Sequence, residues 1–156
     1  MNLPAVAALE YLELGVADLA SWQRFTENVL GLACESADGA LLARMDDEAW
    51  RIRIIESGED DVRSLGFRIA DTAALDEIRS RLANLGAPVA TASSAEAHAR
   101  GVELLWHCSD PDGLRIEFFI GARAGAWPFG LPLGVAGFVT GNQGFGHIVL
   151  MVRDRA

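Results

Sequence analysis

Three short apolar segments of this sequence each end in an aliphatic residue, a variable residue and an aspartate. They are Val16-Ala17-Asp18, Ile69-Ala70-Asp71 and Val152-Arg153-Asp154. The first two aspartates precede stretches with helical spacing of apolar residues, so each is placed to cap a helix. The first two copies lie about 53 residues apart, and a repeat of that size is typical of stacked supersecondary units. The pattern therefore predicts two complete modules and the opening strand of a third.

The first module, about residues 8–56, is predicted to contain one strand, one helix and three further strands. Apolar and polar residues alternate along the strand Leu9–Val16. The helix is predicted from Leu19 to about Leu30, where Gly31 ends it. Three strands follow, at Leu32–Glu35, Ala40–Met45 and Trp50–Ile55.

The second module, about residues 64–121, repeats this order. A strand at Leu65–Ile69 leads into a helix whose apolar stripe ends before Gly86. His98 lies in the polar run Ser93–Arg100 and is expected to be solvated. Three strands complete the module, at Pro88–Thr91, Val102–Cys108 and Leu114–Ile120. The predicted fold is α+β, with two tandem β-α-β-β-β modules forming one open, barrel-like sheet with helices outside. Residues 122–146 are predicted to be a connector, and residues 147–156 the first strand of a truncated further domain.

Composition excludes several classes of partner. The chain has 156 residues, of which 22 are acidic and 13 basic, so its formal net charge is −9. Nucleic acids and anionic membranes require a basic surface, and neither is expected as a partner. The two cysteines, Cys34 and Cys108, form neither a disulfide framework nor a zinc-binding pattern. We expect a soluble, cytoplasmic globular protein.

Two motifs carry a resemblance to a known family. The second module closes with Asp110-Pro111-Asp112-Gly113 followed by Leu-x-Ile-Glu, and with the tandem repeat this resembles the vicinal-oxygen-chelate superfamily of glyoxalases and bleomycin-resistance proteins. The stretch Gly137–Leu150 looks like the junction between the two domains of type I extradiol ring-cleaving dioxygenases of the dihydroxybiphenyl dioxygenase kind. The resemblance covers essentially the whole chain.

The resemblance implies a role for His147. Enzymes of that family bind Fe(II) through two histidines and one glutamate of the second domain, and His147 matches the first of these ligands. The others are expected beyond Ala156. The resemblance thus implies the N-terminal, non-catalytic domain of an Fe(II)-dependent dioxygenase that acts on dihydroxybiphenyl-like catechols in aromatic catabolism, and that forms a homo-oligomer. Because one imidazole cannot hold the metal, we expect this chain alone to bind no iron and to be inactive.

Three positions of the two modules match a metal site that has lost its ligands. Tyr11 and Ser64 stand at the strand starts where family members with an active module carry histidine, and Glu117 stands where the superfamily's glutamate ligand belongs. One carboxylate beside a tyrosine and a serine makes a poor iron site. We therefore describe Tyr11, Ser64 and Glu117 as vestigial-site positions.

Strand alternation predicts what surrounds these positions. Further residues are expected to line a cleft on the concave face of the sheet: Glu13, Arg68, His107, Arg115 and Phe119. We expect an ion-pair cluster in which Arg68 or Arg115 compensates Glu13 and Glu117. His107 either lines the cleft or is a satisfied structural histidine, and the second interpretation is favoured.

Two other functions remain open at this point. One is a stand-alone protein that binds a small hydrophobic ligand in the concave cleft, as bleomycin-resistance proteins do. The other is a glyoxalase-type isomerase in which Glu117 contributes to a metal site shared across a dimer, although the histidines are poorly placed for it. A gene that continues past Ala156 with a further histidine and glutamate would favour the dioxygenase.

Overall fold

The fold is described here from a computed structural model, which covers residues 6–122, 125, 130–134, 137–140 and 143–153. Eleven elements lie in the first of these ranges. In chain order they are β1 (Val6–Val16), α1 (Leu19–Asn28), β2 (Ala33–Ala37), β3 (Ala40–Arg44), β4 (Ile52–Glu56), β5 (Asp61–Ile69), α2 (Thr72–Asn84), β6 (Ala90–Thr91), α3 (Ser94–Arg100), β7 (Val102–Ser109) and β8 (Arg115–Ala122).

All eight strands join one mixed sheet in the order β2-β3-β4-β1-β5-β8-β7-β6. The two modules meet where β1 pairs antiparallel with β5, and each module contains one parallel pair, β1 with β4 and β5 with β8. The sheet stays open instead of closing into a barrel. The predicted fold class is confirmed.

Helices α1 and α2 cover the outer face of the sheet, and their capping aspartates fix where they begin. The Asp18 carboxylate accepts a hydrogen bond from the Ser21 amide at 2.9 Å, and Asp71 accepts one from the Ala74 amide at 2.8 Å. Apolar side chains of α1 pack with Val16 and those of α2 with Ile69. The outer face therefore buries most of the aliphatic residues that the repeat brings to the sheet.

The third helix, α3, lies on the opposite face, where no helix was predicted. The residues before and within it form a capping box, in which Ser93 and Glu96 satisfy each other's backbone amides. Ala97 is buried against Tyr11, Leu105 and Phe119. His98 on α3 is exposed, as expected, whereas the side of α3 that carries Ala97 is buried against the sheet. We call the face covered by α3 the inner face.

The last described segment, residues 143–153, contains one isolated β-bridge, between Leu9 and Phe145. Residues 148–152, where a strand is expected, have no strand assignment in the structure. Their assignment to the first strand of a further domain stays a prediction. No helix within the described parts of the chain combines the length and apolarity that a membrane crossing requires.

Candidate functional site

Adjacent strands bring the three vestigial-site positions together at the centre of the inner face. In the register of β1, β5 and β8, Tyr11 lies opposite Gly66, which lies opposite Glu117. Two residues further along these strands, Ser64 lies between Glu13 and Arg115. Residues opposite one another in a sheet project from the same face, so all these side chains meet on the inner face.

Glu117 is fully buried and accepts hydrogen bonds from three side chains. Its carboxylate oxygens accept hydrogen bonds from the Tyr11 hydroxyl at 2.5 Å, from the Arg100 guanidinium at 3.0 and 3.1 Å, and from Arg115 Nε at 2.7 Å. Burial alone would raise the pKa of Glu117, but the hydrogen bonds and charge of Arg100, followed by the bonds from Tyr11 and Arg115, outweigh it and lower the pKa. Glu117 is therefore a compensated carboxylate.

Arg100 connects Glu117 to the second buried carboxylate of the inner face. Its Nη1 lies 3.1 Å from Glu13, which also forms an ion pair with Arg53. Of the two arginines expected to compensate these carboxylates, Arg115 does so for Glu117. Arg68 instead pairs with Glu10 at 2.6 Å, outside this cluster. We call Tyr11, Glu13, Arg53, Arg100, Arg115 and Glu117 the inner ion cluster.

Helix α3 is tied to this cluster at both ends. Arg100 is its last residue, and Glu96 of its first turn pairs with Arg115 at 2.9 Å. Hydrogen bonds from the Ser93 amide and hydroxyl, with help from Arg115, lower the pKa of Glu96 to about 2. The helix is thus held over the inner face by charge as well as by the packing of Ala97.

Aromatic rings close the inner face beside the ion cluster. The Tyr11 ring centroid lies 4.8 Å from that of Trp50 and 5.2 Å from that of Phe119. Gly66 faces the Tyr11 ring so closely that a Cβ at this position would overlap it. Burial, and then the negative charge of Glu117, raise the pKa of Tyr11 well above its usual value. Tyr11 therefore remains a neutral hydrogen-bond donor.

His107 lies directly opposite Glu117 on β7 and so projects from the inner face. It is partly buried, and burial followed by the positive charge of Arg115 lowers its pKa. Ser64 is fully buried beside Glu13, and its hydroxyl has no hydrogen-bond partner among the described residues. Neither residue completes a group of three or more possible metal ligands with Glu117 among the described residues.

Comparison with known proteins gives this geometry a family context. Residues 9–58 match the family model described as Dihydroxybiphenyl dioxygenase BphC D1. Over 152 residues the chain is 36% identical to the biphenyl-2,3-diol 1,2-dioxygenase of Paraburkholderia xenovorans, covering 96% of this chain and 51% of that protein. A crystal structure of a catechol 2,3-dioxygenase matches with a TM-score of 0.87 and 34% identity, over 97% of this chain and 52% of that one. Over nearly its whole length, this chain is similar to about half of several extradiol dioxygenases.

The resemblance stated from the sequence is thereby confirmed. A further relative, an iron-dependent extradiol dioxygenase of Rhodococcus jostii, is 32% identical over 156 residues, which are 96% of this chain and 50% of that protein. The chain spans about half the length of the curated relatives it matches.

The inner face does not fit the iron that such a dioxygenase requires. A facial triad needs two imidazoles and a carboxylate with free oxygen lone pairs. The Glu117 oxygens are already bonded to Tyr11, Arg100 and Arg115, and the side chain of Arg100 lies where a cation would have to approach. Within the described residues, no group of three or more histidines, cysteines, aspartates or glutamates could hold a metal ion.

Among the described hydrogen bonds and ion pairs, none joins His147 to the inner ion cluster. His147 is exposed, two residues after Phe145, whose amide donates to the Leu9 carbonyl at 3.2 Å. The following residues, Val149–Arg153, border a cleft of about 860 Å³ whose other wall includes Glu13, Arg100 and Arg115. Two residues that border this cleft are in contact, since the Arg153 amide donates to the Asp112 carboxylate at 3.0 Å. The cleft is therefore bordered by the inner ion cluster and by polar turn residues.

Two members of the site were not found from the sequence. Arg100 ends the polar run Ser93–Arg100 and Arg53 lies in the predicted strand Trp50–Ile55, but neither was predicted to belong to the site. A signal for Arg100 exists, since Ser93-x-x-Glu96 is the pattern of a capping box and so predicts a helix that begins at Ser94. No comparable signal identifies Arg53, because its pairing with Glu13 depends on the parallel register of β1 and β4.

Proposed function

We propose that this chain serves as the N-terminal, non-catalytic domain of an Fe(II)-dependent extradiol dioxygenase that opens catechol-type rings, of the dihydroxybiphenyl kind, in aromatic catabolism. The observation that carries the proposal is the inner ion cluster. Its arginines neutralise Glu117, the carboxylate at the position of the superfamily's glutamate ligand, in a fold whose relatives are named as dioxygenases. In this proposal the enzyme is cytoplasmic, and the domain supports the catalytic half or contributes oligomer contacts.

The ion cluster stabilises the inner face as packed core. A buried carboxylate without partners would cost several kcal/mol, whereas Glu117 has three donors and α3 lies over it. The same packing argues against a hydrophobic ligand in the centre of the inner face, because Tyr11, Trp50 and Phe119 fill that space. The alternative of a stand-alone ligand-binding protein therefore has less support.

Within the proposal, His147 is the first iron ligand of the catalytic half. An exposed imidazole has a free lone pair and can bind a metal once partner ligands are present, and neutral imidazole suits Fe(II). The proposal requires a gene that continues past Ala156 and encodes a second histidine and a glutamate. This chain alone would then supply one ligand and would not retain the metal.

The test is to replace His147 with alanine in the gene product that includes the downstream half. We expect the variant to lose ring cleavage of 2,3-dihydroxybiphenyl by more than about 100-fold and to lose bound iron, because even outer-shell changes cost 10–100-fold. His98→Ala is the matched control, since His98 lies exposed on α3. A His147→Ala enzyme with full activity and iron would refute the proposed role of His147.

A further inference from the structure

The loop between β3 and β4, residues 45–51, has a buried arginine at each end. Arg44 is the last residue of β3, and Arg51 is the last residue of the loop. Arg51 is 1% exposed and forms ion pairs with Glu10 and Asp46. Its Nε lies 2.9 Å and its Nη2 2.6 Å from Asp46 Oδ2, a two-bond contact that fixes the plane of the guanidinium. At the start of the loop, Arg44 is also buried, and its Nε donates to the Glu48 carbonyl at 2.9 Å. The loop is therefore rigid at both ends.

Arg51 and the first half of β1 form the surface on which Gly144 and Phe145 lie. The Phe145 amide donates to the Leu9 carbonyl, which makes the isolated bridge between these residues. Gly144 has a φ of +74°, and a Cβ there would lie 2.7 Å from the Leu9 carbonyl oxygen and 3.3 Å from Arg51 Nη1. Only glycine satisfies both the backbone conformation and this close approach.

Gly125, which precedes Gly144 in the chain, also contacts the β3–β4 loop. The Gly125 amide donates to the Asp47 carbonyl at 2.7 Å. A Cβ on Gly125 would overlap the guanidinium of Arg44. Two points of the chain that are 19 residues apart (144 − 125) therefore lie on one loop, each through a glycine set against a buried arginine.

We propose that the β3–β4 loop is a positioning platform for the segment that carries His147, with Arg51 and Gly144 as the positioning residues. Arg51 donates to the Glu10 carbonyl at 3.2 Å, so it holds the strand next to the Leu9 carbonyl that receives Phe145. With Phe145 held, His147 is two residues from a fixed point. Its use as an iron ligand rests on the proposed function, whereas the platform itself does not.

The platform has a specific consequence for the His147 backbone. Apart from Phe145, the residues of 143–148 have no ladder hydrogen bond to the sheet among the described contacts. The hydrogen bond from the Phe145 amide and the fit of Gly144 against Arg51 therefore set the place of residues 143–148, while Arg153 is held separately by Asp112. Disturbing that fit should release the segment while the sheet, which has its own hydrogen bonds and core, stays folded.

The test is Gly144→Ala in this chain, followed by amide hydrogen exchange and ¹⁵N relaxation. We expect exchange of the Phe145 amide to accelerate at least about tenfold and the His147 amide to become mobile on the nanosecond timescale. We expect the thermal midpoint of the sheet to change by less than about 3 °C. Gly130→Ala is the matched control, since a Cβ at Gly130 meets no atom within 4 Å.

Two results would overturn the platform. Unchanged exchange at Phe145 and unchanged order at His147 in Gly144→Ala would show that Gly144 does not hold the segment. A loss of protection throughout the sheet, with a lower thermal midpoint, would show a general structural role instead of a positioning one. Arg51→Lys is a second test of the platform, because lysine keeps the charge but loses the two hydrogen bonds to Asp46. This variant should also mobilise His147.

The gene product that includes the downstream half separates this inference from the proposed function. There, Gly144→Ala should accelerate the release of Fe(II) to a chelator about tenfold, as an outer-shell change does. If His147→Ala leaves iron binding intact, the proposed function fails, while the exchange experiment on Phe145 still decides the platform. If Gly144→Ala mobilises His147 but leaves iron release unchanged, the positioning role toward the metal is refuted.

Discussion

Replacing Arg100 with methionine is expected to lower the free energy of unfolding by about 3 kcal/mol. Arg100 is largely buried and bonds Glu117 with two nitrogens while its third lies 3.1 Å from Glu13. Methionine keeps much of the side-chain volume but leaves two buried carboxylates with fewer donors, and breaking a buried pair from one side costs about 3–5 kcal/mol. Urea unfolding followed by circular dichroism measures the change.

Arg81→Met is the matched control for this substitution. Arg81 forms an i,i+4 pair with Glu77 on the exposed side of α2, and such pairs contribute about 0.5 kcal/mol or less. If the two methionine variants lose the same free energy, the inner ion cluster is not a buried, compensated core and its assignment is wrong.

The difference in stability between wild type and Arg100→Met is expected to depend on pH. The pKa of Glu117 is lowered in the fold, so its contribution to stability is fully present above its unfolded pKa of about 4.3 and is lost as the pH falls through the lower folded value. Without Arg100 the pKa of Glu117 rises, and protonation at acid pH removes the unpaired charge. The difference in unfolding free energy between wild type and Arg100→Met should therefore shrink between pH 6 and pH 3. A difference that stays constant across this range would contradict the assigned role of Glu117.

Replacing Gly66 with alanine is expected to cost about 2–3 kcal/mol, although alanine is the smallest possible addition. The new Cβ would overlap the Tyr11 ring, which lies between Trp50 and Phe119 and cannot move without disturbing both. Any shift of Tyr11 also lengthens its hydrogen bond to Glu117. Thermal and urea unfolding of the variant measure the loss.

Gly146→Ala is the control for Gly66→Ala. A Cβ at Gly146 meets no atom within 4 Å, so this variant should be neutral to within about 0.5 kcal/mol. A Gly66→Ala protein as stable as wild type would mean that the inner face has room at its centre, and a ligand site there would become tenable.

The repeat and its fold were predictable from the sequence because they depend on local patterns. Asp18 and Asp71 cap helices in the structure, and the alternation in β1 places Tyr11 and Glu13 on one face, as predicted. These features follow from capping chemistry and from the two-residue period of strands. They require no knowledge of which strands become neighbours.

The composition of the inner ion cluster depends on non-local register, which the sequence pattern does not contain. Glu10 illustrates the limit: it is buried next to buried Tyr11, because a register shift between Leu9 and Tyr11 interrupts the alternation. Arg68 therefore has Glu10 as its partner. The contribution of Arg100 depends on α3 folding back over the inner face, a tertiary contact that the capping box alone does not predict.

The most direct test of the central claim is the iron content of this chain after anaerobic loading with Fe(II) and desalting, measured for wild type, His147→Ala and Glu117→Gln. We expect none of the three proteins to retain iron. The Glu117 oxygens already accept hydrogen bonds from Arg100 and Arg115, and one imidazole cannot hold the metal. About one iron per chain in wild type, lost in Glu117→Gln, would contradict this expectation and make the inner face a metal site.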